Sequence, residues 1–198
     1  MFSQKGSNFP VRLCLNLALA LTMLMASCLA PPAGAAAVPV DMQDHWAAGQ
    51  VAEWMEAGLV GGFPDGTFRP DQSITRAQFI TMVNAVLGLQ EKAPISYADV
   101  KADDWFAPEI AKAKKSGYIS GYPDNTIRPN NTITRQEIAV ILAGILELDP
   151  SPAGINRFKD SGVVAPWSKD AMGAVTAAGI LSGFPDATCR PTDVATRA

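Results

Sequence analysis

Two stretches of the chain place apolar residues at helical spacing, with polar residues between them. They contain Ile80, Val83, Val86 and Leu87 in the first stretch, and Ile138, Ile141, Leu142 and Ile145 in the second. Thr75 with Gln78, and Thr134 with Glu137, have the spacing of a capping box just before each stretch. The pattern therefore predicts two capped helices with broad apolar faces that need burial against each other.

A shorter helix is predicted before each of these long ones. Its C-terminus is marked by a glycine, the residue that best tolerates positive φ at a helix end. These glycines are Gly58, Gly117 and Gly179. Asp44 or His45 is a candidate cap for the first short helix, and Asp104 is the candidate for the second.

The connecting loop occurs three times, as GFPDGTFRP at 62–70, GYPDNTIRP at 121–129 and GFPDATCRP at 183–191. Proline followed by aspartate predicts a tight turn, whose next position favours glycine or asparagine. Alanine at that position in the third copy is a poor choice, because it rarely adopts positive φ. The loop arginines precede proline, which predicts an extended backbone and a short strand. They are Arg69, Arg128 and Arg190.

The repetition extends beyond the loop. The loop glycines are separated by 59 and 62 residues, and Trp46, Trp105 and Trp167 keep the same two spacings. We therefore predict three repeats of a helix–loop–helix unit, at 38–90, 91–149 and 150–198. The third repeat ends at Ala198, where its second helix should begin. Either the sequence is a fragment or another molecule completes the domain, and a fragment is expected.

Residues 1–37 differ from the repeats and predict a signal peptide. A basic start is followed by an apolar run from Leu13 to Met25 and by small residues, with A-x-A cleavage sites near residue 35. The apolar run is shorter than a membrane-spanning helix requires. Residues 25–28 also resemble a bacterial lipobox, in which Cys28 would be lipidated. Cleavage without lipidation is favoured over this alternative.

The charge and cysteine content exclude several classes of function. Loss of Lys5 and Arg12 with the leader changes the formal net charge from −3 to −5, which argues against nucleic acid and anionic lipid surfaces. Contact with a membrane is expected only through the signal peptide or lipidation. Only Cys189 remains after the leader, so no disulfide framework forms, and it is interpreted as a small apolar core residue.

Arginine occupies an unusual place in the predicted capped helices. Arg76 and Arg135 fall at the first helical residue, where the helix dipole favours acidic side chains. One interpretation is that free amides, dipole and guanidinium together bind a carboxylate or phosphate. The other is that each arginine pairs with Asp65 or Asp124 of its own loop. The residues alone leave both interpretations open.

Together these segments resemble S-layer homology (SLH) repeats over about residues 40–198. The first copy has Asp41 to Trp46, then the loop at 62–70, then ITRAQ at 74–78. The other copies have equivalent segments, including ITRQE at 133–137 and ATR at 195–197. The sequence departs from the family pattern at Gln78, where the usual glutamate is replaced.

The resemblance implies a mainly α fold, in which three repeats pack around a central helix bundle with pseudo-threefold symmetry. It also implies grooves between repeats that bind secondary cell-wall polysaccharide attached to peptidoglycan, often pyruvylated. The expected location is the cell surface, with other S-layer subunits as further partners. The expected carboxylate contacts are Arg76, Arg135 and Arg197. Further residues that the resemblance implies as ligand contacts or as shaping the grooves are Asp41, Asp99, Asp160, Trp46, Trp105, Trp167, Arg69 and Arg128, with the indoles interpreted as core.

Competing functions have weaker support in the sequence. His45 is the only histidine, and no nucleophile–base pair, metal cluster or phosphate-binding loop is recognisable, so we predict neither an enzyme nor a cofactor. The loop acids lack the alternation and final glutamate of a calcium-binding EF-hand. Two further alternatives are an anchor that belongs to a surface exoenzyme, and a module for protein assembly.

Overall fold

A computed structural model describes residues 38–198, and their regular secondary structure is mainly α-helical, as predicted. The signal peptide and Cys28 lie outside the described residues. The α-helices are α1 (Ala48–Glu56), α2 (Arg76–Leu87), α3 (Ala107–Ser116), α4 (Arg135–Ile145) and α5 (Lys169–Ala177). Short 3-10 turns lie at Val40–Met42, Pro152–Ile155, Ser161–Val163 and Pro166–Ser168. No helix within residues 38–198 has the length and apolar character that crossing a bilayer requires.

The long helices α2 and α4 begin at the predicted capping residues. In α2, the backbone N–H of Gln78 donates to Thr75 Oγ1, and the backbone N–H of Thr75 donates to the side-chain Oε1 of Gln78 at 2.9 Å. In α4, Glu137 Oε2 accepts the N–H of Thr134 at 2.8 Å. A neutral amide and a carboxylate therefore serve as the same kind of cap in the two repeats.

The short helices begin differently from the prediction. α1 and α3 have no side-chain cap at their N-termini. His45 instead accepts the N–H of Ala47 just before α1, and the Asp104 carboxylate accepts the N–H of Lys101. The predicted C-terminal glycines do have left-handed backbones, with φ of 85° at Gly117.

The loop arginines do not form the predicted strand. Arg69, Arg128 and Arg190 have φ of 59°, 54° and 47°, in the left-handed region. A long-range contact overrides the local preference of a residue before proline, since the Asp41 carboxylate accepts the amides of both Phe68 and Arg69. Among the described residues, strand pairing is limited to isolated bridges.

Helices from neighbouring repeats pack against each other. α2 of the first repeat packs on α3 of the second, and α4 of the second packs on α5 of the third. The buried core between α2 and α3 includes Ile80, Phe106 and Ile110. Each of these two-helix units, here called prongs, is thus shared between two repeats, and the copies depend on each other for burial.

The three repeats are joined at a central axis by a ring of backbone hydrogen bonds. Ile133 N–H donates to Ile74 C=O, Ala195 N–H donates to Ile133 C=O, and Ile74 N–H donates to Ala195 C=O. Ile74, Ile133 and Ile141 form a buried cluster at this axis. The ring closes the pseudo-threefold arrangement predicted from the family resemblance.

Candidate functional site

Each arginine of the repeated TR motif reaches the loop of the next repeat. Arg76 Nε donates to Ile127 C=O at 2.9 Å, Arg135 Nε to Cys189 C=O at 3.0 Å, and Arg197 Nε to Phe68 C=O at 2.7 Å. The accepting residues hold equivalent places in the three loops. The guanidinium groups therefore lie at the junctions between repeats.

The TR arginines do not pair with an aspartate of their own loop. That aspartate instead binds the loop arginine four residues later, with Arg69 Nη2 at 2.8 Å from Asp65 and Arg128 Nη2 at 3.0 Å from Asp124. Asp65 also accepts both the N–H and the hydroxyl of Thr67, and the pKa of its carboxyl is lowered to about 2, mainly by that hydroxyl. The interpretation in which Arg76 pairs with its own loop is therefore wrong.

The amides at the helix starts are also occupied. Arg76 N–H donates to Asn131 C=O, and Ala77 N–H donates to Pro129 C=O. The same pattern recurs at α4, with carbonyls from the third repeat. The predicted set of free amides at the arginine is therefore absent from α2 and α4, and any anion must be held by side chains.

An aromatic ring of each loop lies beside two arginines. Phe63 has Arg69 at 4.0 Å and Arg197 at 4.8 Å from its centroid. Tyr122 has Arg128 at 4.0 Å and Arg76 at 5.0 Å. Phe184 has the same arrangement with Arg190 and Arg135. Cation–π contact with the ring orients both guanidinium groups at the junction, a role that the sequence analysis did not assign to these rings.

The aspartates that open each repeat fix the loop backbone. The two carboxylate oxygens accept successive amides, as at Asp99, which accepts from Ile127 and Arg128 at 2.9 and 2.7 Å. Asp160 binds the third loop in the same way. The pKa of Asp41 is lowered, chiefly by the hydrogen bond from the Phe68 amide. These aspartates thereby hold the loop arginines and rings in position.

The junction between repeats 1 and 2, here called groove B, is lined by Arg76, Tyr122, Arg128 and Glu137. Arg76 Nη1 lies 3.2 Å from Glu137 Oε1, which also accepts the Tyr122 hydroxyl proton at 2.5 Å. The pKa of Glu137 is lowered overall. Burial alone would raise it, but the hydrogen bonds from Tyr122 and Thr134 and the charge of Arg76 together outweigh burial. Arg76 is only 7% exposed. Its charge is thus satisfied inside the protein.

The junction between repeats 3 and 1 has a different charge balance. It contains a cavity of about 180 Å³, here called groove A, whose lining includes Gly61, Phe68, Gln78, Trp105 and Arg197. Arg197 Nη2 donates to Gly61 C=O at 2.7 Å, while its Nη1 makes no hydrogen bond among the described residues. The pKa of Arg197 is lowered, first by burial and then by the nearby charge of Arg69. Groove A therefore contains a guanidinium with donor capacity to spare.

The third junction lies between repeats 2 and 3, and its arginine, Arg135, is hydrogen-bonded to backbone carbonyls much as Arg197 is in groove A. Arg135 Nη2 donates to Ser182 C=O at 2.9 Å, and the residue is half-buried. Burial lowers its pKa. Within the described residues, no carboxylate lies in ion-pairing distance of Arg135 or Arg197.

The tryptophans are not core residues, contrary to the prediction. Trp46 is 83% exposed, and Trp105 and Trp167 are each 60% exposed. Trp105 lines groove A, and its neighbour Phe106 is buried in the prong instead. Tryptophan faces are thus available for contact from solvent.

Other candidate chemistry receives no support from residues 38–198. No group of histidine, cysteine and acidic side chains there could hold a metal ion. Cys189 is 2% exposed in the place that Phe68 and Ile127 hold in the other loops, so it fills core space as predicted. Burial raises the pKa of its thiol to about 11.

The fold and these junctions define a three-repeat helical module that presents arginines and aromatic side chains between its repeats. The chain belongs to the S-layer homology domain family, whose repeats match residues 40–80, 96–139 and 157–198. This domain is an anchoring module, and the chain is a secreted protein of the cell surface.

Proteins from several bacteria are similar to this chain. An exoglucanase XynX from Acetivibrio thermocellus is 32% identical over 80% of this chain and 15% of its own length. A cellulosome-anchoring protein from the same organism is 39% identical over 61% of this chain and 28% of its own length. The S-layer protein sap of Bacillus anthracis is 32% identical over 82% of this chain and 20% of its own length. The chain therefore spans less than a third of each of these relatives.

Proposed function

We propose that the chain tethers an exported protein non-covalently to the bacterial cell wall by binding anionic secondary cell-wall polysaccharide. The repeats are the anchor, and the polysaccharide, attached to peptidoglycan and bearing pyruvyl groups, is the partner. The observation that carries the proposal is the Arg197 guanidinium in groove A, which has free Nη1 donors and no carboxylate partner among the described residues. The names of the anchoring and S-layer relatives are consistent with this role.

The chemistry of the groove suits such a ligand. A pyruvyl ketal carries one carboxylate on a sugar ring, and a guanidinium can donate two parallel hydrogen bonds to a carboxylate. The cavity of about 180 Å³ equals roughly six water volumes, which is enough for one substituent of a polymer that continues across the surface. The exposed face of Trp105 offers apolar contact to the attached sugar.

The arginines are expected to differ in their roles. Arg197 and Arg135 are the proposed ligand contacts, whereas Arg76 is buried in its pair with Glu137. Replacing Arg76 by alanine would leave that carboxylate without its partner, so we expect a loss of unfolding free energy of about 1–3 kcal/mol. The loop arginines Arg69 and Arg128 act chiefly by positioning the aromatic rings.

The proposal is tested by pull-down of the chain on purified cell-wall sacculi, before and after hydrofluoric acid removes the polymer. We expect binding to untreated sacculi only. The variant with Arg135→Ala and Arg197→Ala should bind about 10–100-fold more weakly, the factor expected for lost charge-assisted hydrogen bonds. Lys92→Ala, which removes an exposed cation from the segment between α2 and α3, should bind normally.

Two results would count against polysaccharide binding. Retention on acid-treated sacculi would indicate a protein or peptidoglycan partner. Equal binding by the double arginine variant would show that these guanidinium groups do not contact the ligand. Circular dichroism of each variant distinguishes lost contacts from lost folding.

A further inference from the structure

A buried polar cluster joins the two helices of the α2–α3 prong. Asn84 of α2 is 2% exposed, and its side chain is hydrogen-bonded to Glu109 of α3 and to Tyr118 just after α3. We propose that this cluster is a pairing determinant, which directs α2 onto α3 and disfavours packing of α2 on α5, the matching helix of the third repeat. Such a determinant acts in the assembly of the three repeats, whatever ligand the grooves bind.

Every polar group of the Asn84 side chain has a partner in this cluster. Its Nδ2 donates to Glu109 C=O at 2.9 Å and to Glu109 Oε2 at 2.7 Å, and its Oδ1 accepts the Tyr118 hydroxyl proton at 2.7 Å. Lys112 Nζ lies 2.8 Å from the other carboxylate oxygen of Glu109. Burial, and then the charge of Glu109, raise the pKa of Tyr118, so its hydroxyl keeps the proton that Asn84 accepts. The cluster is therefore complete only when α2 and α3 lie together.

The α4–α5 prong has apolar residues at all of the equivalent positions. The starts of α2 and α4 give the alignment for one helix, and the glycines that follow α3 and α5 give it for the other. In the order Asn84, Glu109, Lys112 and Tyr118, the equivalent residues are Ala143, Ala171, Ala174 and Ile180. The two prongs therefore have the same geometry but different side-chain chemistry at the helix contact.

Exchange of partners would leave polar groups without hydrogen bonds. Packed on α5, Asn84 would be buried without the carboxylate and the hydroxyl group that now satisfy it. Packed on α4, Glu109 and Tyr118 would face Ala143 in place of Asn84. A buried polar group without a partner costs more than a typical hydrogen bond contributes, so the cluster acts mainly by penalising the wrong pairs. A buried asparagine fixes the register of coiled coils by the same physics.

The apolar residues beside the cluster differ between the prongs in a complementary way. The core of the α2–α3 prong contains a larger residue on α2, Ile80, and a smaller one on α3, Ala113. The equivalent residues reverse the sizes, with Ala139 on α4 and Val175 on α5. Exchange of partners would combine the two larger residues in one prong and the two smaller ones in the other. Overpacking and cavities are both destabilising, so size favours the same pairs as polarity.

Correct pairing also builds one wall of groove A. Gln78 and Met82 of α2 line this groove together with Trp105, which precedes α3. The hydrogen bond from Asn84 to Glu109 C=O holds the first turn of α3 against α2, close to Trp105 in the chain. A chain with the wrong helix pair would therefore lose Trp105 from groove A.

The test exchanges the pairing residues of each helix for their equivalents in the other prong, within the full chain. The α2 exchange is Ile80→Ala with Asn84→Ala. The α3 exchange is Glu109→Ala, Ala113→Val and Tyr118→Ile. Urea unfolding followed by far-UV circular dichroism gives the folding equilibrium constant of wild type, of each one-sided variant and of the two-sided variant.

The proposal predicts that the two exchanges compensate each other. Each one-sided exchange should lower the folding equilibrium constant at least tenfold, because it leaves polar groups unpaired and mismatches the sizes. The two-sided variant should be more stable than either one-sided variant. Lys115→Ala is the matched control, since it gives an exposed position of α3 its α5 equivalent and should act independently of the α2 exchange. A two-sided variant as unstable as the product of the two separate effects would overturn the inference.

A distance measurement separates the choice of partner from stability. Spin labels are attached to the folded chain at Val86→Cys on α2 and Lys114→Cys on α3, two exposed positions, while Cys189 is buried. After refolding from urea, double electron–electron resonance should give one distance in wild type. The two-sided variant, whose prongs present alike faces, should give at least one further distance. The wild-type distance alone in that variant would overturn the inference, because pairing would not depend on these residues.

Milder variants decide the matter if none of the exchanges folds. Asn84→Ala and Tyr118→Phe remove the same hydrogen bond from its two ends. Their combined effect on the folding equilibrium constant should therefore be smaller than the product of the separate effects. Independent effects would show that the cluster does not couple the two helices, and the inference would be wrong.

Discussion

Ala187 occupies the loop position where the repeated turn requires a left-handed backbone, and it is the residue least suited to that conformation. Its φ is 64°, against 80° for Gly66 and 60° for Asn125 at the equivalent positions. The conformation is fixed from outside the turn, because Lys159 N–H donates to Ala187 C=O at 2.9 Å. We therefore predict that Ala187→Gly stabilises the protein.

The size of the effect can be worked from two opposing terms. The left-handed conformation costs a residue with a Cβ atom about 1–2 kcal/mol. Glycine also lowers the unfolding free energy by about 0.4–1 kcal/mol, because it increases the conformational entropy of the unfolded chain. The expected net gain is about 0.5–1 kcal/mol in unfolding free energy, or roughly 1–4 °C in Tm for a chain of this size.

The assay is urea unfolding followed by far-UV circular dichroism, with wild type and variant at equal concentration. Gly66→Ala is the matched reverse substitution, since no atom lies within 4 Å of a Cβ built on Gly66. Its only cost is the backbone, so it should destabilise the protein by about the amount that Ala187→Gly adds. A loss of stability in Ala187→Gly, or no change in Gly66→Ala, would refute the reasoning.

Three further predictions concern packing, helix propensity and pH. Gly173→Ala should lower the unfolding free energy by about 1–3 kcal/mol in urea titrations, because its Cβ would overlap the Ser151 carbonyl. Gly49→Ala, with open space around the new Cβ in α1, should instead raise it by up to about 1 kcal/mol. The pKa of Glu137 is lower in the folded than in the unfolded protein, so its charge contributes full stability above about pH 4.5 and progressively less as the pH falls below that. The stability difference between wild type and Glu137→Gln should therefore shrink from pH 7 to pH 3.5, and a difference that grows would contradict the ion pair.

Features encoded by neighbouring residues were predictable from the sequence. The capping boxes of α2 and α4 require only four consecutive residues, and the helices begin where those residues predicted. Gly58, Gly117 and Gly179 take the left-handed backbone expected after a helix. The replacement at Gln78 was also visible as a missing charge, although its partner across the junction was not.

Features that depend on contacts between distant segments were missed. The residue before proline was expected to be extended, but Arg69 is left-handed because Asp41 binds two consecutive amides from 27 and 28 residues away. The tryptophans were interpreted as core from residue type, but the neighbouring Phe106 fills the core beside Trp105. No local pattern shows that Arg76 meets Glu137 of the next repeat.

Each junction in this cyclic arrangement, in which the third repeat contacts the first, is built by two different repeats. Each TR arginine is supplied by one repeat, while the carbonyl and the aromatic ring that orient it belong to the next. The position held by Gln78 or Glu137 lies on that next repeat too, so a single repeat contains no complete groove. Duplication of the unit makes the junctions alike in geometry, and a substitution at this one position can then change the charge of one groove alone. The backbone ring at Ile74, Ile133 and Ala195 meanwhile keeps the repeats together, so such a substitution leaves the arrangement of the three repeats in place.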